Sequence, residues 1–508
     1  MGLFVATAAA QNVYNTTPDW TSSDRAYSTG GALVDINRDG WLDLVVANGN
    51  DIRRERLVVY YNRGDGTYNL TPDWQSADLQ YNGHLDIADV NGDGWPDVAV
   101  AVLLNEGGHA AKLYLNNGGT LSSTPDWTSS IRAPSFAVAF GDMNGDGRPD
   151  LAVGTGFAYD SNPHVYRNVV YLNQGGVLAA SPSWQSSDTW CEMALLWTDA
   201  DEDGWLDLVG VGSKTRTYIY RNLGGTLEGA ASWSTDDSPA GQMGLMAASG
   251  DVDADGWREL FIVDNNQLGG SGRFKRYNGQ AGGYYSRRAD WSYFDGYAAA
   301  LTLADVNADR RLDLATGTWF GKTRLFFNRD GQYGNSSDWT SAGNSTVEKI
   351  VFGDINRDGG FGSTEVFGAG PRRLYFLSRQ PIEEVTRVVL DGRELGPAEF
   401  TFSREHGWVS IASPPAESLR VSYSYAVRLD MAVTNWDDGI GNHVYYSRLP
   451  KLGDTNGDGR IDQADLAALL AAYASCEGDG AYNVRADFDL NGCVDQVDLA
   501  ILLAGWTG

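Results

Sequence analysis

Histidine is scarce in this chain: five residues in 508, His84, His109, His164, His406 and His443, with no pair at a metal-binding spacing. No Gly-x-Ser-x-Gly elbow and no phosphate-cradling glycine loop accompanies them, so neither a nucleophile-and-base pair nor a nucleotide site can be recognised. Cysteine is equally sparse, with three residues, of which Cys476 and Cys493 can pair and Cys191 is left over as a buried thiol. No apolar run approaches the roughly 18–20 residues of a membrane helix. Basic runs are also missing, which argues against a nucleic-acid partner. Helical periodicity is absent from some 360 residues of the chain.

Acid and glycine are plentiful. The pattern Asp-x-Asx-x-Asp-Gly, or a close variant, occurs nine times, and seven copies recur at intervals of 54, 53, 57, 52, 54 and 49 residues. Alternating carboxylates with a turn-permitting residue suit a hard cation that takes six to eight oxygen ligands, and calcium fits best. Asp35, Asn37, Asp39 and Asp43 occupy positions 1, 3, 5 and 9 of the first loop, and Trp41 can offer its carbonyl at position 7. The spacing repeats in Asp89, Asn91, Asp93 and Asp97, then in Asp142, Asn144, Asp146 and Asp150. It repeats again in Asp199, Asp201, Asp203 and Asp207, and in Asp251, Asp253, Asp255 and Glu259. Asp-Gly and Asn-Gly are ordinary turn formers, but a near-constant period is the mark of a repeat array.

Two copies depart from the pattern. The sixth, Asp305, Asn307, Asp309 and Asp313, has Arg310 in place of glycine, which predicts a weak or empty site, with a cation beside the ligands and a side chain at a left-handed position. The seventh, Asp354, Asn356 and Asp358, has Gly362 at position 9, and its next carboxylate is Glu365 at position 12.

The formal charge of −28 follows from 66 acids against 38 bases. Loop positions account for 28 of those acids, so the remaining 38 balance the bases. Folding is therefore expected to be coupled to metal.

Each repeat carries an apolar strand such as Leu42-Asp43-Leu44-Val45-Val46, an aromatic strand ending in Asn such as Leu113-Tyr114-Leu115-Asn116, and a tryptophan segment. Trp20, Trp74, Trp127, Trp184, Trp233, Trp291 and Trp339 precede the seven loops by 14–18 residues. Short strands between Gly, Asn and Asp turns imply a mainly β chain of four-stranded blades arranged radially, with Trp20 supplying the strand that closes the last blade. These residues resemble the FG-GAP/VCBS repeats of integrin-like calcium-binding propellers, which implies a β-propeller over 11–380 whose calcium loops stiffen its blades. Residues 381–428 read as a small all-β insert, and 429–448 repeat a blade's strand pair without its loop. Seven blades are expected, with eight as the alternative if 429–448 and Trp20 build one more. A landmark tryptophan in every blade reads as core; the irregular Trp190, Trp197, Trp319 and Trp436 are the better candidates for an open face, although packing is the expected role even for them.

Residues 453–508 differ in kind. Asp454, Asn456, Asp458 and Asp465 stand at positions 1, 3, 5 and 12 of one loop, and Asp487, Asp489, Asn491 and Asp498 at those of a second. Leu466, Leu469, Leu470 and Tyr473, and likewise Leu499, Leu502, Leu503 and Trp506, form apolar stripes of two helices expected to pack as a pair. From Gly453 the run Gly-Asp-Thr-Asn-Gly-Asp-Gly-Arg-Ile-Asp resembles a dockerin domain, with an EF-hand-like pair as the alternative. The resemblance implies docking to a cohesin-type partner through loop positions 10 and 11, here Gln463, Ala464, Gln496 and Val497, which depart from the usual Ser/Thr pairs and argue against a cohesin of the usual specificity.

Leu3 to Ala10 reads as the tail of a signal segment, residues 1–10, or alternatively as a short buried strand. Calcium loops favour a secreted or cell-surface location in a bacterium, where calcium is millimolar. The expected function is a secreted, non-catalytic propeller that binds a glycan or surface protein and is tethered by its dockerin-like tail. The alternative is a polysaccharide lyase or glycoside hydrolase on a propeller scaffold.

Overall fold

The computed structural model describes residues 12–103, 108–159, 165–237 and 242–506; the segment 1–10 and His164 lie outside them. Blade one consists of Ser28–Val34, Asp43–Asn48, Leu57–Tyr60 and Trp74–Gln75, paired antiparallel in that order. Five further blades repeat this order, with innermost strands Asn82–Ala88, Ser135–Gly141, Glu192–Thr198, Gln242–Gly250 and Ala298–Ala304. The second strands are apolar without alternation: every residue of Asp97–Val102 is buried. A strand sandwiched between two neighbouring blades has no solvent face, and so loses the period-two pattern.

Blade seven draws on three distant parts of the chain. Val347–Gly353 pairs with Asp430–Asn435, which pairs with His443–Tyr445, which pairs with the N-terminal Trp20–Thr21. Residues 429–448 therefore complete blade seven. The innermost strands touch in sequence, and that of blade seven returns to that of blade one, closing a ring of seven.

Tryptophan joins the blades. Trp20 meets Tyr60 edge-on at 5.5 Å, Trp127 meets Tyr171 at 4.9 Å, Trp184 meets Tyr220 at 5.3 Å and Trp339 meets Tyr445 at 5.5 Å, each across a blade boundary. Their indole N–H groups donate to carbonyls of the following blade, such as Trp184 Nε1 to Leu227 O at 3.0 Å. The series is packing, as its regularity implies.

Between the first and second strands of blade seven the chain makes a long excursion. Gly360–Gly368, Ser418–Ala426, Glu384–Leu390 and Arg393–Glu394 form one sheet, and Leu374–Phe376, Trp408–Ile411 and Phe400–Ser403 another. Strand pairing starts at Gly360 rather than after residue 380, because the loop at Asp354 runs directly into the excursion. Val388, Val409, Leu419 and Val421 are among its core residues. Its 403–407 turn enters the ring axis, where the Glu405 carboxylate bonds Lys349 Nζ at 2.7 Å beside a 140 Å³ cavity lined by His84, Asp86 and His406. Burial pushes the His84 and His406 imidazoles down to about 3 and 4, which keeps both neutral.

The C-terminal module holds α1, Gln463–Ala472, and α2, Gln496–Ala504, each capped by an aspartate, Asp462 and Asp495. Cys476 and Cys493 form a disulfide, and Cys191 is buried elsewhere. Only part of each apolar stripe packs inward. Leu469 and Leu502 are fully buried, whereas Leu470 and Leu503 are each 54% exposed.

Candidate metal centres

The seven array loops connect first and second strands, so all lie on one face of the ring. In loop one, Asp35 Oδ1 accepts from Asp39 N at 3.1 Å and Oδ2 from Gly40 N at 2.8 Å, while Asp39 Oδ1 accepts from Trp41 N at 2.9 Å. With the bond from Asp39 N to Asn37 Oδ1 at 2.9 Å, they fold positions 1, 3 and 5 into one tight turn. Asp43 at position 9 is the keystone: its Oδ2 accepts from Ile36 N at 3.0 Å and its Oδ1 from Asn62 N at 2.8 Å, linking loop, second strand and third strand. Asp97, Asp150, Asp207 and Asp313 make the same two bonds in their blades. Burial pushes Asp43, Asp97 and Glu259 up to about 7, and drives Asp150, Asp207 and Asp313 upwards too, with neighbouring carboxylates adding to the effect.

The donor sets fit a hard cation. One oxygen each from Asp199, Asp201 and Asp203 lies within 4.8 Å of the others, as do those of Asp251, Asp253 and Asp255, and of Asp487, Asp489 and Asp498. Buried Oδ1 atoms of Asp199, Asp251, Asp358 and Asp487 have no hydrogen-bond partner among the described residues. Converging carboxylates with an orphaned oxygen are costly unless a cation is added.

Loop six keeps this frame. Arg310 is left-handed, with φ of 71°, yet its N–H bonds Asp305 Oδ2 at 2.7 Å, just as Gly40 N bonds Asp35. Its guanidinium turns away from the ligands to Glu477, at 2.5 Å. Of the two grounds for expecting a weakened site, the left-handed side chain is present, while the charge is paired away from the ligands.

Loop seven is split. Glu365, the next carboxylate at position 12, accepts from Ser378 and Tyr423 within the excursion. Position 9 is filled by Asp430, beyond the excursion: its Oδ2 accepts from Ile355 N at 3.0 Å and its Oδ1 from Ser447 N at 2.8 Å, the same two bonds as Asp43. Burial likewise drives its carboxyl well above the ordinary range. Sequence reading missed Asp430, although Leu429-Asp430-Met431-Ala432-Val433 copies Leu42-Asp43-Leu44-Val45-Val46. It also missed what the asparagines at the third-strand ends do. Asn62, Asn116, Asn173, Asn222 and Asn328 each donate a side-chain N–H to a loop carbonyl of the preceding blade, at 2.6–3.0 Å.

In the C-terminal module, Asp465 Oδ1 accepts from Thr455 N at 2.9 Å and Asp498 Oδ1 from Phe488 N at 2.6 Å, so position 12 closes each loop. Gln463, Ala464, Gln496 and Val497 are exposed at the starts of the two helices.

Comparison with protein families agrees with this geometry. The FG-GAP-like repeat matches residues 35–100, 89–153, 199–262 and 305–360, the FG-GAP repeat matches 136–172, and the dockerin type I domain matches 452–504. The chain is an FG-GAP-repeat protein with a dockerin type I domain. Human integrin alpha-7 is 40% identical over 95 residues, which are 16% of this chain and 8% of the integrin. Human integrin alpha-6 is 28% identical over 169 residues, 30% of this chain and 14% of the integrin. Integrin alpha-4 of Xenopus laevis is 32% identical over 153 residues, 26% of this chain and 14% of the integrin. The FG-GAP protein thus aligns with under a sixth of each relative's length. Among solved structures, BBS1N in complex with ARL6DN, soaked with lead, has a TM-score of 0.45 at 14% identity, covering 67% of this chain and 89% of that one. Dockerin domains bind calcium, and a dockerin type I domain implies a cohesin partner. Dockerin and integrin-like repeats point to an extracellular protein, and no helix among the described residues is long and apolar enough to cross a membrane.

Proposed function

We propose that this protein is a secreted, calcium-stabilised, non-catalytic binding module: its ring holds a glycan or surface protein, and its dockerin tethers it to a cohesin-type partner. Calcium in this reading occupies the seven array loops, Asp430 closing the seventh, and both dockerin loops. One observation carries the assignment of the binding face. The loop face is occupied by the excursion, whose Ser410 Oγ donates to Asp142 Oδ2 at 2.8 Å and whose Arg372 and Arg373 reach loop carbonyls of Glu202 and Gly145. The opposite face, built from second-to-third strand loops and inter-blade linkers, is uncovered by the excursion and the dockerin among the described residues and carries exposed rings: Tyr159, Phe294, Tyr297 and Phe320 are 41–60% exposed.

Tyr297 and Phe320 meet edge-on at 5.9 Å, beside the stacked Trp319 and Trp436, whose ring centres are 5.7 Å apart. Two of the irregular tryptophans pack as expected: Trp197 is buried, with its N–H on Ala139 O, and Trp319 is buried against Glu348. Tyrosine and phenylalanine supply the outward rings. Flat aromatic faces suit the apolar faces of sugar rings and of protein side chains alike. On the dockerin, the partner-reading Val497 is exposed, as are Leu470 and Leu503 on the two helices that carry those positions, and together they suit an apolar protein contact.

Retention on a panel of immobilised polysaccharides tests the ring. At least one polysaccharide retains the full chain, and Tyr297→Ala with Phe320→Ala weakens that retention about tenfold. Retention that survives both substitutions removes the open face from the reading, and release of reducing ends or unsaturated uronates replaces it with a polysaccharide-degrading enzyme.

A further inference from the structure

Arg310 sits where the other loops have glycine and adopts glycine's left-handed backbone, with φ of 71°. L-residues are disfavoured there, so a side chain retained at such a position invites the question of what it touches. Arg310 reaches the dockerin. Its Nη1 bonds Glu477 Oε2 at 2.5 Å, and a Cβ added to Gly492, in the second dockerin loop, would lie 2.8 Å from the same nitrogen. Two excursion side chains complete the contact: Tyr425 Oη donates to the Asp489 carbonyl, and Arg379 Nη2 donates to the Leu490 carbonyl. Arg379 also lies over the Tyr425 ring, 4.7 Å from its centre. Leu490 itself is buried in the excursion's apolar core with Tyr425 and Val427. Backbone and apolar contacts therefore converge on residues 489–490, and the ionic one falls on Glu477, whose N–H bonds the Gly492 carbonyl at 2.8 Å, while Gln463, Ala464, Gln496 and Val497 stay exposed.

We infer that the ring and its excursion are a receptor for the second dockerin loop, docking the module in one orientation when that loop is loaded with calcium. The carbonyls held by Tyr425 and Arg379 belong to residues 489 and 490, between the proposed ligands Asp487, Asp489 and Asn491. Their outward direction is set by the backbone wrap that brings the ligand carboxylates together. Without a cation those carboxylates repel one another and the wrap is lost. Linkage then works in both directions: calcium favours docking, and docking tightens calcium at the second loop but not at the first. The docked module keeps its partner-reading residues outward, so docking orients the ring relative to whatever the dockerin holds.

Hydrogen exchange of the full chain across a calcium titration reads the two dockerin loops separately. In the unsubstituted protein the second loop becomes protected at lower calcium than in a variant carrying Arg310→Gly and Arg379→Ala, with midpoints about fivefold or more apart. The first loop's midpoint is unchanged between the two. Glu477→Gln, which lies outside both the ring and the ligand set, moves the second midpoint in the same direction by less, so the result does not depend on how well the double variant folds. Equal second-loop midpoints in all three proteins overturn the inference, as does an equal shift of both loops.

Discussion

Stripping divalent cations lowers the unfolding temperature of the full chain by on the order of 10 °C, and calcium restores it. Each blade has its position-9 acid buried, and burial drives those carboxyls upwards. A loop filled at a hundredfold excess over its dissociation constant contributes about 2.7 kcal/mol, and several such loops act on one ring. The position-9 acid also bonds loop and third strand, and the neighbouring asparagine bonds the preceding blade, so loosening one loop loosens two blades. Differential scanning calorimetry with and without a chelator measures the effect. An unchanged transition removes metal from the account of stability.

Asp430→Ala is the point substitution with the largest expected cost. It leaves the buried amides of Ile355 and Ser447 without their acceptor, at about 1–3 kcal/mol each, and removes the closing carboxylate of loop seven. A loss of about 3–5 kcal/mol and one fewer calcium bound per chain follow. Glu365→Gln, at the next carboxylate of the loop in sequence, leaves the calcium count unaltered because Glu365 bonds Ser378 and Tyr423. Asp430→Asn divides the two contributions, retaining an acceptor for one amide while weakening the ligand set. Calcium stoichiometry by mass spectrometry under native conditions, alongside a denaturant melt, separates these outcomes; a full count in Asp430→Ala returns loop seven to an unassigned state.

What was legible in the sequence is what repeats locally. A tryptophan stands about 15 residues before each loop, and each loop precedes its strand, so blade number and the closing role of Trp20 follow from residues close together in the chain. The dockerin loops were readable for the same reason. Long-range partners were not. Asp430 completes a site begun at Asp354 because the excursion returns the chain to the strand it left, and spacing within one loop says nothing about where a detour ends. The partner of Arg310, Glu477, lies 167 residues on, so spacing around loop six could not show where its charge goes. In the helices of the C-terminal module, periodicity marks an apolar face but not how much of it is covered, and Leu470 and Leu503 remain outside the packing.

Blade seven also sets a timetable. Trp20 pairs with Val444, so its strand emerges first and finds its partner last. At about 5–20 residues synthesised per second, that wait is on the order of 20–80 s. Until then the nascent chain carries a row of blades with an uncovered apolar face at either end, an arrangement prone to sticking to another copy. A chain cut anywhere before Tyr445 stays in that state, however well its first six blades have formed.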